Sequence, residues 1–179
     1  KGQSDESEQK IRERWMITPE YARLFARYNC WQNKSLYDAA SALSDDERKA
    51  KRGAFFGSIH ATLNHLLWGD QIWMSRLAGT PKPTAASIPD SLAQFEDWDG
   101  LCGERVAFDQ IISDWTKAMT PEMLSGDLTW YSGSTGRELT KPRWVCVVHL
   151  FNHQTHHRGQ VHCLLTQLGC TPEATDIPF

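Results

Sequence analysis

The histidines are the residues of this chain whose spacing most directly suggests chemistry. Five of the seven lie within one short stretch, at His149, His153, His156, His157 and His162. Because an α-helix turns about 100° per residue, His153 and His157 would project from one face, one turn apart. Two imidazoles so placed can bind one metal ion, as in the H-E-x-x-H motif of zinc enzymes. The spacing of His149 and His153 permits a second pair, so the pattern predicts a metal site without fixing its ligands.

The residue after His153 argues against the hydrolytic mechanism of the zinc proteases. Gln154 occupies the position of the glutamate in H-E-x-x-H. A neutral amide cannot accept and return a proton at neutral pH, so Gln154 cannot act as a general base. The pattern favours metal binding over this particular catalysis, and histidines that only make ordinary hydrogen bonds are the alternative interpretation.

A third ligand has to come from another helix, and the sequence offers His60 or His65. These two differ by five residues, or about 140° of rotation, so only one of them can face the site. Ala61 and Gly69 lie one turn on either side of His65 and would leave space there for a metal ion and a small substrate. We favour His65 for this reason, although the same small residues would also suit close helix packing.

Four segments with apolar residues at spacings of three and four must position these histidines. Such periodicity predicts amphipathic α-helices. Thr18 with Pro19 is typical of a helix start, and Gly169 is typical of a helix end. Four long helices predict an all-α, four-helix bundle. The segments are 19–43, about 55–77, 95–115 and 144–168.

The connections between the predicted helices carry turn-forming residues. Ser44 with Glu47 fits a capping box and predicts a short helical turn. Residues 79–89 contain three prolines and predict a long exposed connection suited to a crossover. Residues 128–144 have β-favouring residues on both sides of a Ser/Gly-rich turn, so we expect a small hairpin-like excursion before the last helix.

Composition limits the class of protein. The 179 residues suit one domain, which we expect to span 16–179 after a polar N-terminal extension at 1–15. Net charge is -3, without the basic excess typical of nucleic-acid binding. The apolar runs are far shorter than the roughly 20 residues of a spanning helix, and no signal-peptide pattern opens the chain. The five cysteines form no C-x-x-C pair. We expect a cytoplasmic protein that binds neither nucleic acid nor membranes.

Three blocks of sequence resemble the DinB family of damage-inducible, YfiT-like metalloenzymes. The resemblance spans residues 16–179, and the blocks occur in the expected order. They are YNCWQN from Tyr28, FFGSIHATLNHLLWGDQIW from Phe55 and VVHLFNHQTHHRGQVHCLL from Val147, and the ending TDIPF is also similar to the family.

The resemblance implies a four-helix bundle with one long crossover connection, usually a homodimer, that binds a divalent metal through three histidines. By position these are His65, His153 and His157. His60, His149, His156 and His162 would then be non-ligands. Many relatives carry glutamate at the position of Gln154, so any role of that glutamate is in doubt here.

Relatives with this fold include thiol-dependent enzymes, among them S-transferases that use low-molecular-weight thiols and a mycothiol-dependent maleylpyruvate isomerase. The resemblance therefore implies a metal-dependent enzyme that joins a small thiol to an electrophilic substrate. Histidine nitrogen suits zinc, nickel, copper and iron alike, and we expect zinc or nickel. The alternatives are a noncatalytic, metal-binding dimeric stress-response protein and a metal-dependent hydrolase. Arg158, next to His157, could anchor an anionic substrate or pair with an acidic side chain.

Overall fold

A computed structural model of the chain describes residues 16–178. The expected polar extension at 1–15 lies outside the described residues. The described part is mostly helical, with six α-helices, a short 3-10 helix and one two-stranded sheet. None of its helices is long and apolar enough to cross a membrane. In chain order the elements are α1 (Pro19–Ser41), α2 (Asp45–Lys49), α3 (Ile59–Leu77), α4 (Ile88–Ser91), α5 (Trp98–Lys117), the 3-10 helix (Pro121–Leu124), β1 (Asp127–Ser132), β2 (Arg137–Pro142) and α6 (Arg143–Gln167).

The ends of the helices follow local capping chemistry. The Thr18 hydroxyl accepts a hydrogen bond from the backbone N–H of Tyr21 and caps α1, as predicted. The predicted capping box of Ser44 and Glu47 starts α2. Gly169 follows α6 with a φ of 78°, a conformation that favours glycine.

Two helix starts differ from the sequence prediction. The second long helix begins at Ile59, four residues later than predicted, because Gly57 has a φ of 84° and the Ser58 side chain caps the helix. The third long helix begins at Trp98 rather than at Phe95, because Asp97 caps it by accepting from the N–H of Gly100. The polar capping residues therefore determine where both helices begin, whereas the apolar periodicity extends further towards the N-terminus than the helices do.

The four long helices α1, α3, α5 and α6 pack around a common core. Helix α1 contacts α5 and α6, and α3 contacts the same two helices, so α1 and α3 lie diagonally across the bundle. The long connection predicted at 79–89 lies within residues 78–97, which contain α4 and join two neighbouring helices. The chain instead crosses between diagonal helices through residues 42–58 and 118–142. Fully buried core residues include Leu63, Leu67, Met74, Leu101, Ile112, Leu150, Phe151, Val161 and Leu165.

Part of the predicted apolar stripe does not reach the core. Leu24 is 37% exposed, and Val106 on α5 is 72% exposed. The face of α1 that is buried includes the polar residues Asn29, Gln32 and Asn33. Two of these side chains have partners elsewhere in the chain: the Asn33 amide nitrogen donates to the Asp109 carboxylate at 2.9 Å, and the Gln32 amide nitrogen donates to the carbonyl of Ala174 at 2.8 Å.

The predicted hairpin precedes the last helix. Strands β1 and β2 pair antiparallel, with Trp130 opposite Leu139. The hydroxyls of Thr129 and Thr140 lie 2.8 Å apart across the ladder. The hairpin contacts α3 and α6, and the ring of Trp130 packs against that of Trp73 with centroids 5.3 Å apart. It therefore covers one part of the surface between the two helices that carry the histidines.

Candidate metal centre

Helices α3 and α6 bring three histidines together. His65 comes from α3, and His153 and His157 come from consecutive turns of α6. One potential ligand atom from each lies within 4.8 Å of the other two. The rings of His153 and His157 are 4.4 Å apart, and that of His65 lies 5.4 and 5.0 Å from them. The structure thus brings the three predicted ligand residues together; their ligation of a metal remains a prediction.

Hydrogen bonding fixes the tautomer of His65. The Ser91 hydroxyl donates its single proton to the carbonyl oxygen of Ile88 at 2.6 Å. With its proton engaged there, the hydroxyl accepts from Nδ1–H of His65, 3.0 Å away. With the proton on Nδ1, the lone pair of His65 is on Nε2 and is available to a metal ion. Such outer partners orient ligands and raise their basicity.

A second hydrogen bond orients His157. Its Nδ1 lies 2.8 Å from Oε1 of Gln160, one turn further along α6. Because a carboxamide oxygen can only accept, His157 donates from Nδ1 and has its lone pair on Nε2. The Gln160 amide nitrogen lies 3.4 Å from Nε2 of His156, which supports this orientation of the side chain.

The imidazole of His153 packs directly on the backbone of α3 at Gly69. A Cβ added at Gly69 would lie 2.7 Å from Cε1 and 3.2 Å from Nδ1 of that ring. The small residue beside His65 was expected to leave space for an ion and a substrate, but the space at Gly69 is taken by this histidine. Nδ1 of His153 is buried and has no hydrogen-bond partner within the described part of the chain.

Burial keeps all three imidazoles neutral. It lowers the pKa of His65 to about 4, and the nearby His157 adds to the effect. It lowers the pKa of His153 to about 3, again with contributions from neighbouring histidines. Burial also lowers the pKa of His157, against the opposite effect of the hydrogen bond that its Nδ1–H donates to Gln160. At neutral pH the three side chains therefore offer lone pairs without proton competition.

Aromatic rings surround the three histidines. Phe56, in the turn before α3, lies 4.0 Å from the ring of His65 and 5.2 Å from that of His157. The ring of Trp68 lies 5.6 Å from that of His65, and the Trp68 indole N–H donates to the carbonyl of Ala85. These rings limit the access of water to the cluster, which strengthens electrostatic interactions there.

The other four histidines lie outside the cluster. His60 is buried on another face of α3, where its Nδ1 contacts the Asn64 amide at 3.3 Å. His149 and His156 are exposed on α6, next to His153 and His157 respectively, and His162 lies further along the same helix. His60 and His65 thus lie on different faces of α3, as expected for two residues five positions apart on a helix.

Gln154 faces the interior of the bundle. Its amide nitrogen donates to Oδ1 of Asp70 at 2.7 Å. The other oxygen of Asp70 accepts from the Arg105 guanidinium, which also pairs with Asp109 at 2.8 Å. Burial raises the pKa of Asp70 to about 6, against the effects of Arg105 and Gln154. Gln154 therefore belongs to a buried polar network that joins helices, rather than to the surroundings of the three histidines.

Arg158 also points inward and forms no ion pair within residues 16–178. Its guanidinium carbon lies 5.4 Å from the centre of the Tyr28 ring, and only one nitrogen has a side-chain partner, Thr155. Burial lowers the pKa of Arg158 to about 10. Of the two roles considered from the sequence, pairing with an acidic side chain is not observed within the described residues, and anchoring of an anionic substrate stays a prediction.

Sequence reasoning missed three residues around the histidines: Phe56, Ser91 and Gln160. Ser91 belongs to α4, which lies in the connection expected to be irregular. A signal for this helix exists, because the Ser87 hydroxyl accepts from the N–H of Asp90 and Pro89 occupies the first turn. Nothing in the local pattern, however, indicates that Ser91 would contact a residue 26 positions earlier.

The residues present fit a divalent metal ion. Three neutral imidazoles converge, two have their free lone pairs fixed on Nε2, and the third has an unpartnered buried nitrogen. The ligand atoms lie within 4.8 Å of one another, compared with about 3.4 Å between two nitrogen ligands of a tetrahedral ion, so side-chain rotations would have to bring them closer together. Three protein ligands are typical of metal sites that keep coordination positions for water or substrate.

A helical bundle with three converging histidines defines a class of candidate metalloproteins, and comparison with known proteins gives the family. Residues 16–179 match the DinB family. The chain therefore belongs to that family, as the resemblance of the sequence blocks indicated. Protein DinB of Bacillus subtilis (strain 168) is 22% identical over 158 residues, which cover 88% of this chain and 91% of the relative.

Solved structures show the same fold. YfiT from Bacillus subtilis superposes with a TM-score of 0.60 at 12% identity, covering 88% of this chain and 93% of YfiT. That protein is described as a probable metal-dependent hydrolase with an unusual four-helix bundle topology. A DinB-like protein from Bacillus cereus ATCC 10987 gives a TM-score of 0.52 at 21% identity, over 84% of this chain and 94% of that one.

Proposed function

We propose that this protein is a metal-dependent enzyme in which His65, His153 and His157 bind a divalent ion, zinc or nickel. The finer proposal is a thiol-dependent S-transferase or isomerase acting on a small electrophile. The observation that carries it is the uncharged donor set: within the described residues, no carboxylate joins the three imidazoles. An ion held by neutral ligands keeps its double positive charge, which favours a bound anion such as a thiolate.

The chemistry divides between the ion and the protein. A divalent ion at this site would lower the pKa of a thiol and hold its sulfur. The histidines would hold the ion, Ser91 and Gln160 would orient two of them, and Phe56 and Trp68 would exclude water. The sulfur would form a bond to an electrophilic carbon, the leaving group would depart with its electron pair, and the thiol proton would pass to solvent.

A metal-dependent hydrolase is the second candidate, since YfiT carries that description. It would need a group to accept a proton from the attacking water. Gln154 cannot serve, because it is an amide and donates to Asp70 in the core. The exposed imidazole of His149 lies near His153, with ring centroids 5.7 Å apart. We therefore consider His149 as the group that would accept the proton.

The first experiment is elemental mass spectrometry on protein purified without a His tag. We expect about one zinc or nickel per chain, lost in His65→Ala and retained in His60→Ala. The two histidines form a matched pair, because they lie on the same helix and are both 4% exposed. Metal-free wild-type protein, even after incubation with zinc or nickel, would refute the proposed site.

Turnover then separates the candidate functions. The metal-loaded protein should accelerate the reaction of a small thiol with 1-chloro-2,4-dinitrobenzene, and His153→Ala should not. Hydrolysis of p-nitrophenyl acetate without thiol turnover would favour the hydrolase. Metal that raises the melting temperature without either activity would favour the noncatalytic protein, in which the ion joins α3 to α6. The expected homodimer stays a prediction, which light scattering would test.

A further inference from the structure

A row of rings leads from the three histidines along the surface between α3 and α6. The ring of His149 lies 5.7 Å from that of His153 and 4.7 Å from that of Trp73. Trp73 in turn packs edge-on against Trp130 of the hairpin at 5.3 Å. His149 is exposed, and both tryptophans are half-buried, so this row is open to a ligand along its length.

The row ends at Arg76. Its guanidinium carbon lies 4.8 Å from the centre of the Trp73 ring and 5.6 Å from that of Trp130. Two indole faces at such distances hold a cation by electrostatic attraction to their π-systems. The rings thus fix the position of the charge, and burial between them lowers the pKa of Arg76 from its ordinary value.

The donors of this guanidinium are unused. Within residues 16–178, Arg76 forms no ion pair, and its side chain donates no hydrogen bond. Two other arginines show the contrast: Arg143 donates to the carbonyls of Met123 and Leu77, and Arg105 binds two aspartates. Because Arg76 is only half-buried, its five N–H donors remain accessible to an acceptor that a ligand brings.

Helix geometry gives the distance along α3 between Arg76 and the position at which His153, the cluster member nearest to it, packs on this helix. His153 packs on Gly69, and Arg76 follows Gly69 by seven residues on the same helix. Seven residues span about 10 Å and turn the helix by almost two full turns, so both positions lie on one face. A ligand of that length could therefore contact the histidine site at one end and Arg76 at the other.

We propose that Arg76 binds the carboxylate of an extended substrate whose reacting sulfur lies at the three-histidine site. The ligand class is a small thiol with a carboxylate about 10 Å from its sulfur. The planar guanidinium fork matches a carboxylate, and the faces of Trp73 and Trp130 hold it in place for that bond. This inference deepens the proposed function and rests on it.

The test uses two thiols that differ only at the far end. The probes are 8-mercaptooctanoate and 8-mercapto-1-octanol, bound to the cobalt-substituted protein and followed by the sulfur-to-cobalt charge-transfer absorption. We expect wild type to bind the acid roughly tenfold or more tightly than the alcohol. Arg76→Gln should remove this preference while leaving the affinity for the alcohol unchanged, and Arg76→Lys should keep part of it.

Arg137→Gln is the matched control, because Arg137 is an exposed arginine of the hairpin that carries Trp130 and its removal changes the net charge equally. It should keep the preference for the acid. Equal affinities of the two thiols for wild type, or an unchanged preference in Arg76→Gln, would overturn the assignment of Arg76 and leave the proposed function intact. Failure of both thiols to bind the cobalt protein would refute the proposed function together with this inference.

Discussion

Replacing Gly69 with alanine should expel His153 from the histidine cluster. The new Cβ would lie 2.7 Å from Cε1 of the imidazole, and ordinary contact begins near 3.4 Å. The ring would therefore have to move by about 0.7 Å, whereas metal–ligand distances tolerate only about 0.2 Å. The side chain can rotate away more easily than the backbone of α3 can move, so the site loses a ligand and the fold survives.

The expected loss of zinc affinity is roughly 10–100-fold, the range found when support for a metal ligand is removed. A competition titration against a chromophoric chelator would measure it. The metal-free variant should melt no lower than wild type, because alanine in a helix is favoured over glycine by about 1 kcal/mol.

The matched control is Gly159→Ala on α6. Gly159 is also helical, but nothing lies within 4 Å of a Cβ added there. This variant should keep the zinc affinity of wild type and share the gain in helix propensity. If Gly69→Ala bound zinc as tightly as Gly159→Ala, then the contact between His153 and α3 would have no bearing on metal binding, and the reasoning would be wrong.

Three further changes test the surroundings of the site. Ser91→Ala removes the acceptor that fixes the His65 tautomer and should weaken zinc binding about tenfold. The control Ser125→Ala, on an exposed turn, should leave zinc binding unchanged. Equal zinc affinities of the two variants would contradict this. Gln154→Glu would set a second carboxylate against Asp70 and raise the pKa of the pair. Urea unfolding should therefore show a larger loss of stability at about pH 8, where both groups are ionised, than at about pH 5. Equal losses at the two pH values would refute this. The free energy of unfolding of the metal-free protein, measured by calorimetry, should fall as the pH falls from 6.5 towards 4. The reason is that His65 takes up a proton at a higher pH in the unfolded state than in the folded state. An undiminished fall in His65→Asn would show that another group is responsible.

Local sequence was enough to predict most of the elements. Thr18 caps α1, Ser44 and Glu47 form a capping box, and the hairpin lies where the Ser/Gly-rich turn was recognised. Capping and turn formation involve residues within a few positions of one another, so the pattern contains both partners. The starts of α3 and α5 were missed because apolar periodicity extends beyond the capping groups at Ser58 and Asp97.

The candidate site was predicted in part for the same reason. The pairing of His153 with His157 follows from the helical repeat alone. The choice of His65 over His60 rested on neighbouring small residues and on the family resemblance, and the structure shows a different use of Gly69, which receives the ring of His153. Phe56, Ser91 and Gln160 were not predicted.

The sequence by itself determined the helical periodicity, the caps and the i, i+4 histidine pair, because each depends on residues that are close along the chain. Only the tertiary structure decided that His65 meets His153 across two helices, that Ser91 fixes its tautomer, and that Gln154 turns towards Asp70. These contacts depend on how the helices pack and rotate against one another, and that packing is decided by the whole core rather than by any one segment.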